Sequence, residues 1–103
     1  MKRMLSTLGI FALLGFVGGA QAAGDVPAGK AKAAACVGCH GANGEGVKPN
    51  PALAGKPEGE IVQALKDYKS GKRVNPIMKT FAGPLSDQDM ANLGAYYASL
   101  KAK

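Results

Sequence analysis

The chain contains two cysteines and one histidine, and all three fall within the segment Cys36-Val37-Gly38-Cys39-His40. The cysteines are three positions apart, so on a helical turn both thiols lie on one side, where they can attach to the same flat ligand. A histidine directly after the second thiol can place its imidazole beneath that ligand as a metal donor. The spacing therefore predicts covalent attachment of a c-type haem through Cys36 and Cys39, with His40 as the proximal ligand of the iron.

Three other interpretations of this pattern are possible. A disulfide between Cys36 and Cys39 suits an exported protein, but the loop that it closes is too small to stabilise the fold much. A thioredoxin-like redox pair needs neighbouring β-strands, and no strand pattern occurs near the segment. A structural zinc site needs about four ligands, whereas the segment supplies three strong ones.

The N-terminus has the three parts of a secretory signal peptide. Lys2 and Arg3 precede an apolar run over residues 8–17, and Ala20-Gln21-Ala22 has the small-x-small pattern of a cleavage site. The apolar run of about ten residues is well short of the roughly 20 that span a bilayer as a helix. We expect residues 1–22 to be removed, leaving residues 23–103 as a single soluble domain, exported to the periplasm and without stable membrane insertion.

Charge and size limit the possible partners. Without Lys2 and Arg3 the formal charge falls from +6 to +4, and no charge run or interleaved basic and aromatic pattern is present, so we expect no nucleic-acid partner. A domain of this size often needs a cofactor, metal or disulfide to be stable. Because the chain has no tryptophan and few aromatic residues, haem would be structural as well as functional.

The chain beyond residue 22 predicts helices separated by one long loop. Asp25 and Pro27 begin a first helix that runs into the cysteine segment, and a second helix is expected over residues 58–70. Ser86 begins a last helix that runs to about residue 101, with Asp89 completing a capping box. Residues 41–59 are rich in Gly, Pro and Asn and predict a loop around a haem edge, while residues 76–84 predict an irregular or one-turn segment.

Two methionines lie beyond residue 22, and their surroundings differ. Met90 is in phase with Leu93 and Tyr97 on the last helix, which is typical of a core residue. Met78 belongs to no long apolar stripe, lies between proline-containing loops, and is far enough from His40 to reach the opposite haem face. We expect Met78 to be the second axial ligand, which leaves no open coordination position on the iron.

With these features the chain resembles the class I c-type cytochromes, in particular the small exported monohaem cytochromes of bacteria. The motifs occur in the family's order over the whole predicted mature chain: Gly29–Ala33 before Cys36, Pro51–Gly55, Asn75–Met78, Leu85–Asp87 and Leu93–Tyr97. The resemblance implies an all-α fold of three to four helices wrapped around one covalently attached haem. It also implies that the Pro51 carbonyl orients His40.

The resemblance further implies that the first and last helices cross near Gly29 and Tyr96 or Tyr97. This crossing favours close helix packing at Gly29 and at Gly94, since a glycine within a helix costs about 1 kcal/mol relative to alanine.

The leading functional hypothesis is a one-electron carrier, not an enzyme, that moves electrons between periplasmic or membrane redox complexes. The alternatives are a haem-bearing electron-accepting subunit of an oxidoreductase, and a sensor or peroxidase-like haem protein with a labile distal ligand. We expect redox partners with acidic patches to dock at the haem edge. The lysines expected in loops around that edge are Lys48, Lys56, Lys72 and Lys79, whereas Lys30, Lys32 and Lys101 are expected on ordinary solvated surface.

Overall fold

The computed structural model describes residues 23–101, which form five α-helices and one 3-10 turn. These elements are α1 (Val26–Lys32), the 3-10 turn (Ala33–Ala35), α2 (Val37–His40), α3 (Glu58–Ser70), α4 (Pro76–Ala82) and α5 (Asp87–Ser99). The predicted all-α class is confirmed. Within residues 23–101, β-pairing is limited to one isolated bridge between Val47 and Asn50.

The predicted signal peptide, residues 1–22, lies outside the described residues. Within residues 23–101, no helix combines the length and the apolar character needed to cross a membrane.

Helices α1 and α5 cross with their backbones in contact. The Asp25 carboxylate accepts a hydrogen bond from the Ala28 N–H at 2.9 Å and so caps α1 as predicted. A Cβ atom at Gly29 would collide with the Asn92 carbonyl of α5 and would lie 2.8 Å from the Cβ of Tyr96. The crossing implied by the resemblance, near Gly29 and Tyr96, is therefore confirmed.

Helix α5 begins with the predicted capping box. The Ser86 hydroxyl accepts from the Asp89 N–H, and the Asp89 carboxylate accepts from the Ser86 N–H, both at 3.0 Å. Tight packing at Gly94 is also present, because a Cβ there would lie 2.8 Å from the Glu58 carbonyl of α3. Gly94 thus packs α5 against α3, whereas Gly29 packs it against α1.

The core lies where the 3-10 turn, α3, α4 and α5 meet. Met90, Leu93 and Tyr97 of α5 are the largest fully buried side chains among the described residues, which confirms the prediction that Met90 is a core residue. The buried cluster consists of Ala33, Ile61, Leu65, Ala82, Met90, Leu93, Tyr96 and Tyr97.

Residues 76–84 were predicted to be irregular or to form a single turn, but Pro76–Ala82 form a regular helix of seven residues. The predicted length of helix in this segment was therefore wrong. The Asn75 side chain accepts from the N–H groups of Ile77 and Met78, each at 3.1 Å, and Pro76 lacks the N–H that a first helical turn leaves unpaired. Lys79 therefore lies on a helix and not in a loop.

Candidate haem site

One cleft brings the predicted site residues together. It has a volume of about 350 Å³ and is lined by residues of α2, α3, α4, α5 and the loop over residues 41–57. Both cysteines are free thiols, with Cys36 half-buried and Cys39 exposed. The site residues that line the cleft are Cys36, Cys39, His40, Pro51 and Met78.

The His40 imidazole has one nitrogen committed to the protein and one left available. Its side chain is buried, with 7% of its surface exposed, and its Nδ1 lies 2.7 Å from the Pro51 carbonyl oxygen. A carbonyl oxygen only accepts hydrogen bonds, so Nδ1 carries the proton and donates it. Nε2 then keeps its lone pair, which is the state that a metal-ligating histidine requires. The hydrogen bond that the resemblance implies is present.

The loop over residues 41–57 places Pro51 opposite His40 because it folds back onto α2. The Gly46 N–H donates to the His40 carbonyl at 2.7 Å, and the Asn50 side-chain amide donates to the Cys39 carbonyl at 2.9 Å. These two bonds satisfy carbonyl groups at the C-terminal end of α2 that lack a partner within the helix. They also hold the loop in place before Pro51, so one hydrogen bond orients the imidazole directly and two more tie the same loop to the backbone of α2.

Helix α4 supplies the other predicted ligand. Met78 lines the same cleft as His40, is half-buried, and packs against the buried cluster. A second cleft of about 370 Å³ shares Cys36, Met78 and Phe81 with the first. Met78 therefore borders open space in two clefts and is packed less completely than His40.

Most of the remaining cleft lining is apolar, and its charged groups lie where a carboxylate-bearing ligand could reach them. The Arg73 guanidinium stacks over the Tyr68 ring, 4.7 Å from its centroid, and both side chains line the cleft. Lys56 also lines the cleft and forms an ion pair with Glu60, with Nζ and Oε2 3.7 Å apart. The apolar lining is formed by Leu53, Ile61, Leu65, Ile77, Phe81 and Leu93, among others.

Tyr97 is a site residue that the sequence did not reveal. Its position on the apolar stripe of α5 predicts only packing, yet its hydroxyl is buried and has no hydrogen-bond partner among residues 23–101. The ring lines the cleft close to Cys36. Burial raises the pKa of the Cys36 thiol, and burial is also the main reason why the pKa of Tyr97 lies above its ordinary value.

These residues fit a covalently attached haem. Two thiols three positions apart open onto an apolar cleft, an imidazole there has a free nitrogen, and a thioether lines the same space. Imidazole and thioether are the donor pair that holds low-spin haem iron in electron-transfer proteins.

Comparisons with known proteins agree with this geometry. A family model described as cytochrome c matches residues 26–101. The chain is 46% identical over 102 residues to cytochrome c4 of Pseudomonas aeruginosa, an alignment that covers 98% of this chain and 50% of that protein. It is 40% identical over 72 residues to the thiosulfate dehydrogenase electron acceptor of Thiomonas intermedia, covering 68% of this chain and 33% of that protein.

Among solved structures, reduced recombinant cytochrome c4 from Pseudomonas stutzeri is similar, with a TM-score of 0.74 and 37% sequence identity. The match covers 79% of this chain and 48% of the other. The chain thus spans about half the length of the cytochrome c4 proteins that it matches.

Proposed function

This chain belongs to the cytochrome c family, and from that membership and the geometry of the cleft we propose that it is a one-electron carrier with a single haem c. The observation that carries the proposal is the presence of His40 and Met78 in one cleft with both cysteines. The bound haem supplies an iron that takes up and releases one electron. If His40 and Met78 both held the iron, no coordination position would be left for a substrate, which suits electron transfer and not catalysis.

Each site residue has a distinct role in this proposal. Cys36 and Cys39 form the two thioether bonds, and His40 and Met78 bind the iron. Pro51 accepts the Nδ1 proton of His40 and so keeps the ring in one orientation and Nε2 free for the metal. Because the polypeptide fixes these groups, little movement is needed when the charge on the iron changes.

We also propose that the protein is exported. The basic, apolar and small-residue parts of residues 1–22 support cleavage after Ala22 and a periplasmic location. Mass spectrometry of the periplasmic protein should give a chain that begins at Ala23. A mature chain that keeps residues 1–22 would contradict export with cleavage.

The function is tested on protein expressed with a cytochrome maturation system. Haem stain should migrate with the polypeptide on denaturing gels, and the optical spectrum should be that of a six-coordinate, low-spin haem that is reduced reversibly by one electron. A colourless polypeptide would contradict covalent attachment through Cys36 and Cys39. A high-spin spectrum would instead favour the sensor or peroxidase-like alternative, in which Met78 is labile.

A second candidate function is an electron-accepting subunit of an oxidoreductase. The similarity to the thiosulfate dehydrogenase electron acceptor of Thiomonas intermedia favours this alternative. The two functions differ in assembly, since a subunit stays bound to its enzyme whereas a carrier dissociates after each transfer. Size-exclusion chromatography of the protein from its native periplasm should show a free small protein if it is a carrier.

The face that docks redox partners is proposed to be the one around α4. Val74, Ile77 and Phe81 are 91%, 63% and 44% exposed, and Ile77 and Phe81 also line the cleft. Residues 68–85 contain no Asp or Glu, and their basic residues are Lys69, Lys72, Arg73 and Lys79. An apolar centre with a basic surround at the cofactor suits brief contact with a partner that carries an acidic patch.

The lysines around the cleft differ in the partners that they have within the chain. Lys69 donates to the Leu85 carbonyl at 2.6 Å, and Lys56 is paired with Glu60. Lys72 and Lys79 form no ion pair within the described part of the chain. Of these four lysines, Lys72 and Lys79 are therefore the ones whose ammonium groups are most available to an acidic partner.

Charge reversal tests the docking face. Lys79→Glu and Lys72→Glu should slow association with an acidic redox partner several-fold and weaken its salt dependence, while leaving the spectrum nearly unchanged. Lys101→Glu is the matched control and should change the rate much less. Stopped-flow reduction at several ionic strengths measures this. Equal rates for the three variants, or rates that rise with salt in the unmodified protein, would contradict the proposal.

A further inference from the structure

We infer that the Tyr97 hydroxyl donates a hydrogen bond to the thioether sulfur of Cys36 and thereby raises the reduction potential of the haem. This inference rests on the proposed haem attachment. Tyr97 lines the cleft but is not among the residues proposed to bind the haem or its iron.

The ring of Tyr97 is held so firmly that its hydroxyl cannot turn towards solvent. Only 2% of the residue is exposed, and its carbonyl accepts a hydrogen bond from the Gly55 N–H at 2.9 Å. Its Cε1 lies 2.8 Å from the position that a Cβ at Gly44 would occupy, so the loop backbone covers one edge of the ring. The Tyr96 ring packs on it as well, with the two centroids 5.1 Å apart.

A phenylalanine would satisfy all of this packing, so the hydroxyl needs a separate explanation. A buried hydroxyl without a partner destabilises the fold, because it loses its hydrogen bonds to water. The Tyr97 hydroxyl has no hydrogen-bond partner among residues 23–101, yet the Cys36 sulfur is near enough to interact with it electrostatically. The free Cys36 thiol lies within reach of a side-chain hydrogen bond with the Tyr97 hydroxyl, but the two groups do not meet in good hydrogen-bond geometry.

Attachment changes what the Cys36 sulfur can do. The sulfur forms a bond to one vinyl carbon and the thiol hydrogen ends on the other vinyl carbon, so the reaction involves no net oxidation or reduction. The sulfur then has no hydrogen to donate and can only accept. The buried Tyr97 O–H is a donor in the right place, and a hydrogen bond to the thioether satisfies it.

This hydrogen bond would act on the redox equilibrium through the sulfur. A donor on the thioether withdraws electron density from the porphyrin, which favours the more electron-rich ferrous state. Tyr97 would then be a positioning and tuning residue, since it acts on the iron through Cys36 and not by contact.

The first test is an optical redox titration of the haem-loaded protein. Tyr97→Phe removes the hydroxyl and keeps the ring, and it should shift the equilibrium towards the ferric state about threefold, which is about 28 mV at 59 mV per tenfold for one electron. Tyr96→Phe is the matched control on the neighbouring ring and should leave the potential unchanged. Equal potentials for the two variants would overturn the inference. Haem stain and reversible one-electron reduction in both variants would show that the proposed function stands whichever potentials are found.

A second measurement uses the unmodified protein and tests the hydrogen bond between Tyr97 and Cys36 even if Tyr97→Phe does not accumulate. In NMR spectra of the ferrous protein in water, the Tyr97 hydroxyl proton should exchange slowly and show a nuclear Overhauser effect to the β-protons of Cys36. A hydroxyl proton that exchanges rapidly, or that contacts bound water in place of Cys36, would overturn the inference.

Discussion

On the His40 side of the cleft, a single loop makes three hydrogen bonds to α2, and the imidazole is almost fully buried. On the Met78 side, a seven-residue helix carries the ligand, Met78 is half-buried, and the neighbouring Ile77 is 63% exposed. The proximal ligand is thus positioned by the polypeptide itself. In the proposed function a bound haem would complete the wall on the Met78 side, where an apolar face is open around α4.

This contrast suits a carrier. A firmly held His40 would keep a bound iron in place, and the more open Met78 side would offer a surface on which a partner could dock briefly.

Met90→Ala should lower the free energy of unfolding by about 2–5 kcal/mol, because it removes a fully buried side chain beneath the cleft. Val74→Ala, at a position that is 91% exposed, should change it by less than about 0.5 kcal/mol. Denaturant unfolding of the haem-loaded proteins, followed by circular dichroism, measures both. Equal stability of the two variants would contradict the placement of Met90 in the core.

Gly29→Ala should destabilise the protein by about 1–3 kcal/mol, because its methyl group would collide with the Asn92 carbonyl at the crossing of α1 and α5. That crossing supports the helical segment that leads to His40. Gly38→Ala is the matched control, since a Cβ there meets no atom within 4 Å. Thermal unfolding should show a lower midpoint for the first variant only. A normal midpoint for Gly29→Ala would mean that the helices cross less closely.

Ser86→Ala should lower the free energy of unfolding by about 1 kcal/mol, because it removes the hydroxyl that caps α5, the helix that follows α4 in the chain. The Ser86 N–H also donates to the Asp89 carboxylate and holds its pKa below the ordinary value of 3.8. A lowered pKa stabilises the fold above pH 3.8, and this contribution is lost as the pH falls through the lowered pKa.

Asp89→Asn should therefore reduce stability at pH 7 and reduce it less near pH 3. Chemical unfolding at the two pH values measures the difference. An equal loss at both would mean that the charge on Asp89 does not contribute to the cap.

Much of this molecule follows from local sequence signals. The segment from Cys36 to His40 predicts the attachment chemistry, and Ser86 with Asp89 gives the start of α5, because caps depend on residues three positions apart. The extent of α4, which the sequence predicts only as an irregular or one-turn segment, was underestimated because seven residues are too few for apolar periodicity to show. Its Asn75-Pro76 start carries the ordinary signals of a helix N-terminus and could have revealed it.

Other features depend on contacts between distant segments and could not be predicted in this way. A glycine inside the last helix indicates that another helix packs closely at Gly94. The sequence does not show that this neighbour is Glu58 of α3, because that contact depends on the tertiary arrangement. The Tyr97 hydroxyl likewise has no sequence signal, because an apolar stripe predicts burial of the ring and not the surroundings of its oxygen.

The proposed arrangement, with His40 held by the polypeptide and Met78 on the opposite side of the iron, is tested most directly by the optical spectra of two methionine variants. We expect Met78→Ala to abolish the methionine-to-iron charge-transfer band of the ferric protein and to give a high-spin or ligand-exchanging haem. Met90→Ala should keep that band, although it unfolds more easily. Loss of the band in Met90→Ala and its retention in Met78→Ala would show that Met78 is not the iron ligand.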